Sequence, residues 1–168
     1  MSYSSKSGGT LPPLTKKISV LRQIQRGLVI KGYVPQIGHI KYYIFMGFSS
    51  DSNFVNGFFI NSQPSAIILT NPKIGNLQID IPPGSYRFLR NPKPSYINCL
   101  KYYQIDSIVM INGLIQSPSK MCGYLSHKHL WEVTQAVQNN PTFTVEEKNV
   151  VVDPLIFPSH LCPITSLL

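Results

Sequence analysis

Hydrophobic and polar positions along the chain change period twice. Behind Thr15, the apolar residues Ile18, Leu21 and Ile24 recur every third position, and Gly27 follows. That spacing predicts a short helix over 15–26, capped by Thr15 and stopped at Gly27. The next hundred residues read differently. Apolar residues gather in short β-branched or aromatic runs at 28–30, 41–48, 56–61, 66–70, 77–81, 96–100 and 108–111. Gly32, Pro35, Gly38, Asp51-Ser52-Asn53, Pro64, Pro72, Gly75 and Pro82-Pro83 punctuate them. Short strands at this spacing predict a small barrel or compact sandwich rather than alternating βαβ units. Past residue 125 the period becomes helical. Ser126 is placed to cap a helix whose Leu130, Val133, Ala136 and Val137 share one face, ending at Asn139-Asn140 before Pro141. Beyond it, a strand-like Val150-Val151-Val152 and three prolines (Pro154, Pro158, Pro163) read as an extended arm. The chain thus divides into a flexible Ser/Gly/Pro-rich segment 1–14, a helix 15–26, a mainly β domain with a closing C-terminal helix over 27–138, and an arm 139–168.

Composition narrows the function classes. The chain has 168 residues, with 15 Lys+Arg against 7 Asp+Glu, a net charge of +8. Charged residues are only 13% of the total, so the chain is basic because acids are scarce. A hydrophobic fraction of 43% excludes wholesale disorder. No apolar run approaches the roughly 18–20 residues of a membrane span, and the first residues lack the apolar core of a secretory signal. These features predict a cytoplasmic protein with no membrane partner. Cys99, Cys122 and Cys162 form no C-x-x-C pair, in keeping with a reducing compartment. The spacing of Cys122 with His127 and His129 matches no standard zinc pattern, and no phosphate-binding loop or H-E-x-x-H is present. No metal or cofactor is expected. His127 and His129 read as surface or capping residues beside Ser126.

The charge is uneven. Residues 1–50 sum to +7, residues 51–100 to +2 and residues 101–168 to −1. A one-signed N-terminal part attracts polyanions, of which phosphate backbones are the commonest. An acidic protein would be drawn by the same field.

Several segments, in order, resemble the MazF/PemK toxins. Gly27-Leu28-Val29-Ile30 looks like their opening Gly-x-Val/Ile. KYYIFM at 41–46 is similar to their second strand, which usually begins Arg-Pro before four apolar residues. FFINSQ at 58–63 is similar to the end of their third strand, Ile-Thr-Ser-Gln. SYINCLKYYQIDSI at 95–108 and Gly123-Tyr124-Leu125 before the last helix continue the match. The resemblance covers about residues 27–138 and implies a small SH3-like barrel that forms a dimer, is covered by an acidic antitoxin, and cleaves single-stranded RNA without a metal.

Such cleavage turns the ribose 2′-hydroxyl on its own phosphate, and needs a proton acceptor, a cation for the developing charge and a donor to the leaving oxygen. Carried over from the family, the candidate positions are Lys41, Asn61 and Ser62. Lys41 stands where the family has Arg, which keeps the charge but loses the two-pronged geometry. Asn61 stands where Thr is typical, leaving Ser62 as the nearer hydroxyl, and Tyr42 replaces the proline. His39 shares a strand face with Lys41 and is the candidate base. Binding a single strand asks for cations and π-faces, offered by Lys31, Tyr42, Arg87, Arg90, Lys93 and Lys101. DNA would suit the same groups. The alternative reading is a barrel without catalysis, serving as a nucleic-acid- or protein-binding subunit of a larger complex.

Overall fold

The computed structural model describes residues 13–34 and 38–152. Most of segment 1–14 and the arm beyond 152 lie outside the described residues. The elements are α1 (Pro13–Gln23), β1 (Leu28–Val34), β2 (His39–Phe48), β3 (Phe54–Asn61), α2 (Ala66–Thr70), a 3-10 turn (Pro72–Leu77), β4 (Gln78–Ile81), β5 (Ser95–Asn98), β6 (Tyr103–Asp106), α3 (Ser107–Gln116), a second 3-10 turn (Pro118–Lys120), β7 (Met121–Tyr124), α4 (His127–Asn139) and α5 (Val145–Val152).

The strands form one curled antiparallel sheet, a half-barrel, in the order β4-β5-β3-β2-β1-β7. One edge of β3 is shared. Its first half pairs with β6 (Val55↔Ile105) and its end with β5 (Ile60↔Ile97). A bulge in β2 between Phe45 and Gly47 adds to the bend.

Both faces are buried over the first half of β1, the second half of β2 and most of β3, and this explains why β2 and β3 carry unbroken apolar runs there. Val29, Ile44, Met46 and Phe58 point to one core, closed by Val133, Ala136 and Val137 of α4 and Val151 of α5. Leu28, Ile30, Tyr43, Phe45 and Phe59 point to the other, closed by Val20, Leu21 and Ile24 and by Met110, Ile111 and Leu114 of α3. Alternate residues thus serve opposite cores. A strand with water on one face would alternate apolar with polar.

The expected 15–26 helix is present but begins at Pro13, so Thr15 is interior and caps nothing. A proline suits a first helical turn because its missing N–H has no intrahelical partner there. Gly27 ends the turn with φ +86°, a conformation glycine adopts without strain. The strands expected at 28–30, 41–48, 56–61, 77–81 and 96–100 correspond to β1, β2, β3, β4 and β5, with ends shifted by up to four residues.

Three expected extended runs are helical instead. The run Ala66–Thr70 forms the single turn of α2, burying Ile68 and exposing Ile67 and Leu69. The run 108–111 lies in α3, because Asp106 accepts the Val109 N–H at 2.9 Å and so caps a helix. The run 150–152 lies in α5. Thr144 Oγ1 accepts the Glu147 N–H at 3.2 Å and Glu147 Oε2 accepts the Thr144 N–H at 2.7 Å, a reciprocal capping box. β6 and β7 had no expected counterpart. The α4 helix follows its reading closely, with Ser126 Oγ accepting the His129 N–H. Asp106→Ala should cost about 1 kcal/mol through the lost cap, read as a lower midpoint in urea with an unchanged slope.

Candidate phosphate-binding cleft

Where β2 begins and β3 ends, the sheet opens into a cleft of about 700 Å³. Strand register sets its floor. In the β1–β2 hairpin Lys31 lies opposite Tyr42, Gly32 opposite Lys41 and Val34 opposite His39. The Tyr42↔Ile60 pairing then carries Asn61 to the position beside Lys41. Their side chains meet, the Lys41 ammonium donating to Asn61 Oδ1 at 2.9 Å. An ammonium has three N–H donors, so two remain for a ligand. Partial burial lowers the Lys41 pKa from its ordinary value. An incoming anion would offset that desolvation. Lys31 rests over the Tyr42 ring, its Nζ 5.8 Å from the centroid.

The loop between β4 and β5 makes the opposite wall with Arg87, Phe88, Leu89, Arg90 and Asn91. Its placement rests on aromatic contacts. Phe88 stacks on Tyr86 with centroids 5.0 Å apart and tilts against Tyr42 at 5.6 Å. The Tyr42 hydroxyl donates to the Phe88 carbonyl at 2.8 Å. On β7, Gly123 (φ +133°) lies beneath Phe88, and a Cβ there would touch the ring. These contacts leave Arg87 and Arg90 exposed at the rim.

The cleft therefore gathers Lys31, Lys41, Arg87 and Arg90 with His39, and among the described residues no carboxylate lines it. Of the ten residues singled out from the sequence, it brings together Lys31, His39, Lys41, Tyr42, Asn61, Ser62, Arg87 and Arg90. Lys93 is exposed but does not line it. Lys101 lies elsewhere, over the Tyr103 ring beside a second concavity with Tyr102, Phe143 and Glu147.

The basic N-terminal third is also divided. Lys31 and Lys41 face the cleft, whereas Lys16, Lys17 and Arg22 lie on α1, which covers the far core. The aromatics of 86–103 are spent largely on packing, with Tyr86 against Phe88, Tyr102 against Phe143 and Tyr103 against Phe59. An exposed ring that the sequence reading passed over is Tyr33, 64% accessible and paired across the hairpin with the cleft residue Ile40. Phe88 and Asn91 were also passed over, and nothing short of the fold links them to β2.

His129 departs from its surface reading. It is 7% exposed, with Nδ1 2.6 Å from the Tyr86 hydroxyl. Cys99 is buried and its thiol pKa pushed well up by desolvation. Cys122 lines the cleft, donates to the Lys120 carbonyl, and is also raised by burial, with Lys31 acting in the opposite sense. Among the described residues no three His, Cys, Asp or Glu side chains gather as metal ligands, and no helix is long and apolar enough to cross a membrane.

No protein-family model matches the chain, and no curated protein matches it.

Proposed function

We propose that this chain is a MazF/PemK-like, SH3-like barrel that binds single-stranded RNA in the β2/β3 cleft and cleaves it without a metal. The observation that carries the reading is the cleft itself, with two lysines, two arginines and, among the described residues, no acid around a floor that can take an extended phosphate backbone. The curled antiparallel sheet is compatible with such a barrel, and the segments resembling the family's second and third strands are those that form the floor.

In the proposed reaction the 2′-oxygen attacks the adjacent phosphorus and the bond from phosphorus to the 5′-oxygen breaks. The products are a 2′,3′-cyclic phosphate and a 5′-hydroxyl. His39 takes the 2′-proton. Lys41, desolvated and held by Asn61, steadies the charge on the phosphorane and donates a proton to the leaving oxygen. Ser62 and Asn61 offer further hydrogen bonds to phosphate, while Arg87 and Arg90 hold flanking phosphates from the loop. In a toxin–antitoxin setting an acidic antitoxin would compete for the same cations, and the family resemblance adds a homodimer.

The second reading, binding without cleavage, is favoured by the Lys41–Asn61 contact. It puts an ammonium and an amide where the family has a guanidinium and a hydroxyl. Wild type and Lys41→Ala incubated with mixed-sequence single-stranded RNA in EDTA separate the two. Cyclic-phosphate ends made by wild type and reduced at least about 100-fold in Lys41→Ala support cleavage at this site. Intact RNA bound by folded wild type supports the binding reading, and equal cutting by both proteins rejects the site.

A further inference from the structure

The arginine-bearing wall of the cleft belongs to the loop 82–94 between β4 and β5, and little of its main chain is tied down. Among the described residues, the Ser85 and Leu89 N–H groups turn back on the Pro82 and Tyr86 carbonyls, and the Lys93 N–H on the Asn91 side chain. Those bonds shape the loop without placing it. The hydrogen bond that its main chain receives from outside is the one from β2, in which the Tyr42 hydroxyl donates to the Phe88 carbonyl at 2.8 Å. Its direction is fixed by its partners, since a carbonyl only accepts and a phenol O–H can donate. The carbonyl lies midway along the wall, with Arg87 one residue before Phe88 and Arg90 two residues after it.

Tyr42 meets the floor as well as the wall. Its ring tilts against Phe88 with centroids 5.6 Å apart, and the Lys31 ammonium lies over it at 5.8 Å. Phe88 stacks in turn on Tyr86, whose hydroxyl accepts the Ser126 N–H at 2.9 Å. Ring packing tolerates sliding, because dispersion has no preferred direction. A hydrogen bond weakens steeply off line, so the Tyr42 hydroxyl sets where along β2 the wall stands.

We infer that the Tyr42 hydroxyl is a strut, a positioning group that holds the loop against the cleft floor so that Arg87 and Arg90 are in place before a phosphate backbone arrives. The inference rests on the reading of the cleft as a phosphate-binding site. A loop with so few main-chain bonds opens at low cost. Each opening takes two of the cleft's four cations away, and affinity falls with the fraction of molecules still closed. The MazF/PemK resemblance puts a proline at this position, which has no hydroxyl to give, so the strut belongs to this chain's own Tyr42.

The test removes the hydroxyl and keeps the ring. Tyr42→Phe should bind mixed-sequence single-stranded RNA about three- to tenfold more weakly than wild type. In the free protein, hydrogen exchange of the 87–91 amides should quicken, led by Leu89, whose N–H is held by the Tyr86 carbonyl at 3.1 Å. Exchange in β2 and β3 should stay as in wild type. The same substitution is then made in Arg87→Ala/Arg90→Ala, with binding measured at low salt to keep the weaker affinities in range. With no arginines left to position, Tyr42→Phe should there change affinity by less than about twofold. A hydroxyl that touched the RNA itself would cost the same in both backgrounds. That result, or unchanged loop exchange in Tyr42→Phe, would overturn the strut. Faster loop exchange in Tyr42→Phe, with no RNA bound by folded wild type, supports the strut as a hold on the loop and rejects the phosphate-binding reading.

Discussion

Gly57→Ala is expected to lose at least about 3 kcal/mol of stability, a large share of the roughly 5–15 kcal/mol that holds a domain folded. Gly57 sits in β3 opposite Phe45, at the centre of the sheet. A Cβ there runs into the Ile44 carbonyl oxygen, and meets the Tyr43 ring at 2.7 Å and its hydroxyl at 2.9 Å. Neither neighbour can yield. The carbonyl is main chain of the central strand β2, paired on both sides, and the Tyr43 hydroxyl donates to the carbonyls of Val55 and Tyr103 within the core. The melting midpoint should drop by roughly 10 °C for a chain of this length. Gly113→Ala is the contrasting case. It sits inside α3 with nothing within 4 Å of a new Cβ, and should gain about 0.5–1 kcal/mol from helix propensity. A Gly57→Ala midpoint within about 2 °C of wild type would mean that β2 and β3 are not packed as described.

The second large effect concerns the cleft wall. Arg87→Ala/Arg90→Ala should weaken binding of a single-stranded RNA by about 100-fold or more, since charge-assisted hydrogen bonds contribute about 1.5–3 kcal/mol each. Lys93→Ala/Lys101→Ala removes the same formal charge and is the matched control. Lys93 is close in sequence but off the cleft, and Lys101 is on another concavity, so the loss should stay below about threefold at physiological salt, where exposed charges are screened within about 8 Å. Equal losses in the two double variants would show that net charge, not this cleft, governs binding.

The strands that form the floor of the cleft were legible because strand period is local, whereas Lys41, Asn61 and Ser62 were singled out by the family resemblance. Runs of β-branched and aromatic residues mark β2 and β3, and their shared register brings Lys41 to Asn61 across twenty positions of sequence. The loop wall was legible only as composition. Arg87 and Arg90 stand out as cations in the sequence, but their approach to β2 depends on Phe88 settling beside Tyr42 and over Gly123, which no periodicity encodes. The helices α2, α3 and α5 were misread for a common reason, since short apolar runs such as Ile-Ile-Leu or Val-Val-Val fit either conformation. For α5 the deciding signal was already present in Thr144-x-x-Glu147, a capping box. For α3 it was Asp106 ahead of an apolar run. His129 misled for a different reason: a histidine near a helix start is ordinarily solvated, and burying this one required Tyr86, forty-three residues away in the chain.

The salt dependence of wild-type binding to a single-stranded RNA tests the central claim most directly. If Lys31, Lys41, Arg87 and Arg90 each neutralise a phosphate, the logarithm of affinity should fall against the logarithm of salt with a slope of about −2 to −3. The slope should shrink by about 0.7 for each of the four changed to alanine. A slope near zero, or one unchanged when the four are replaced together in a folded protein, would contradict a phosphate-binding cleft at the β2/β3 end of the sheet.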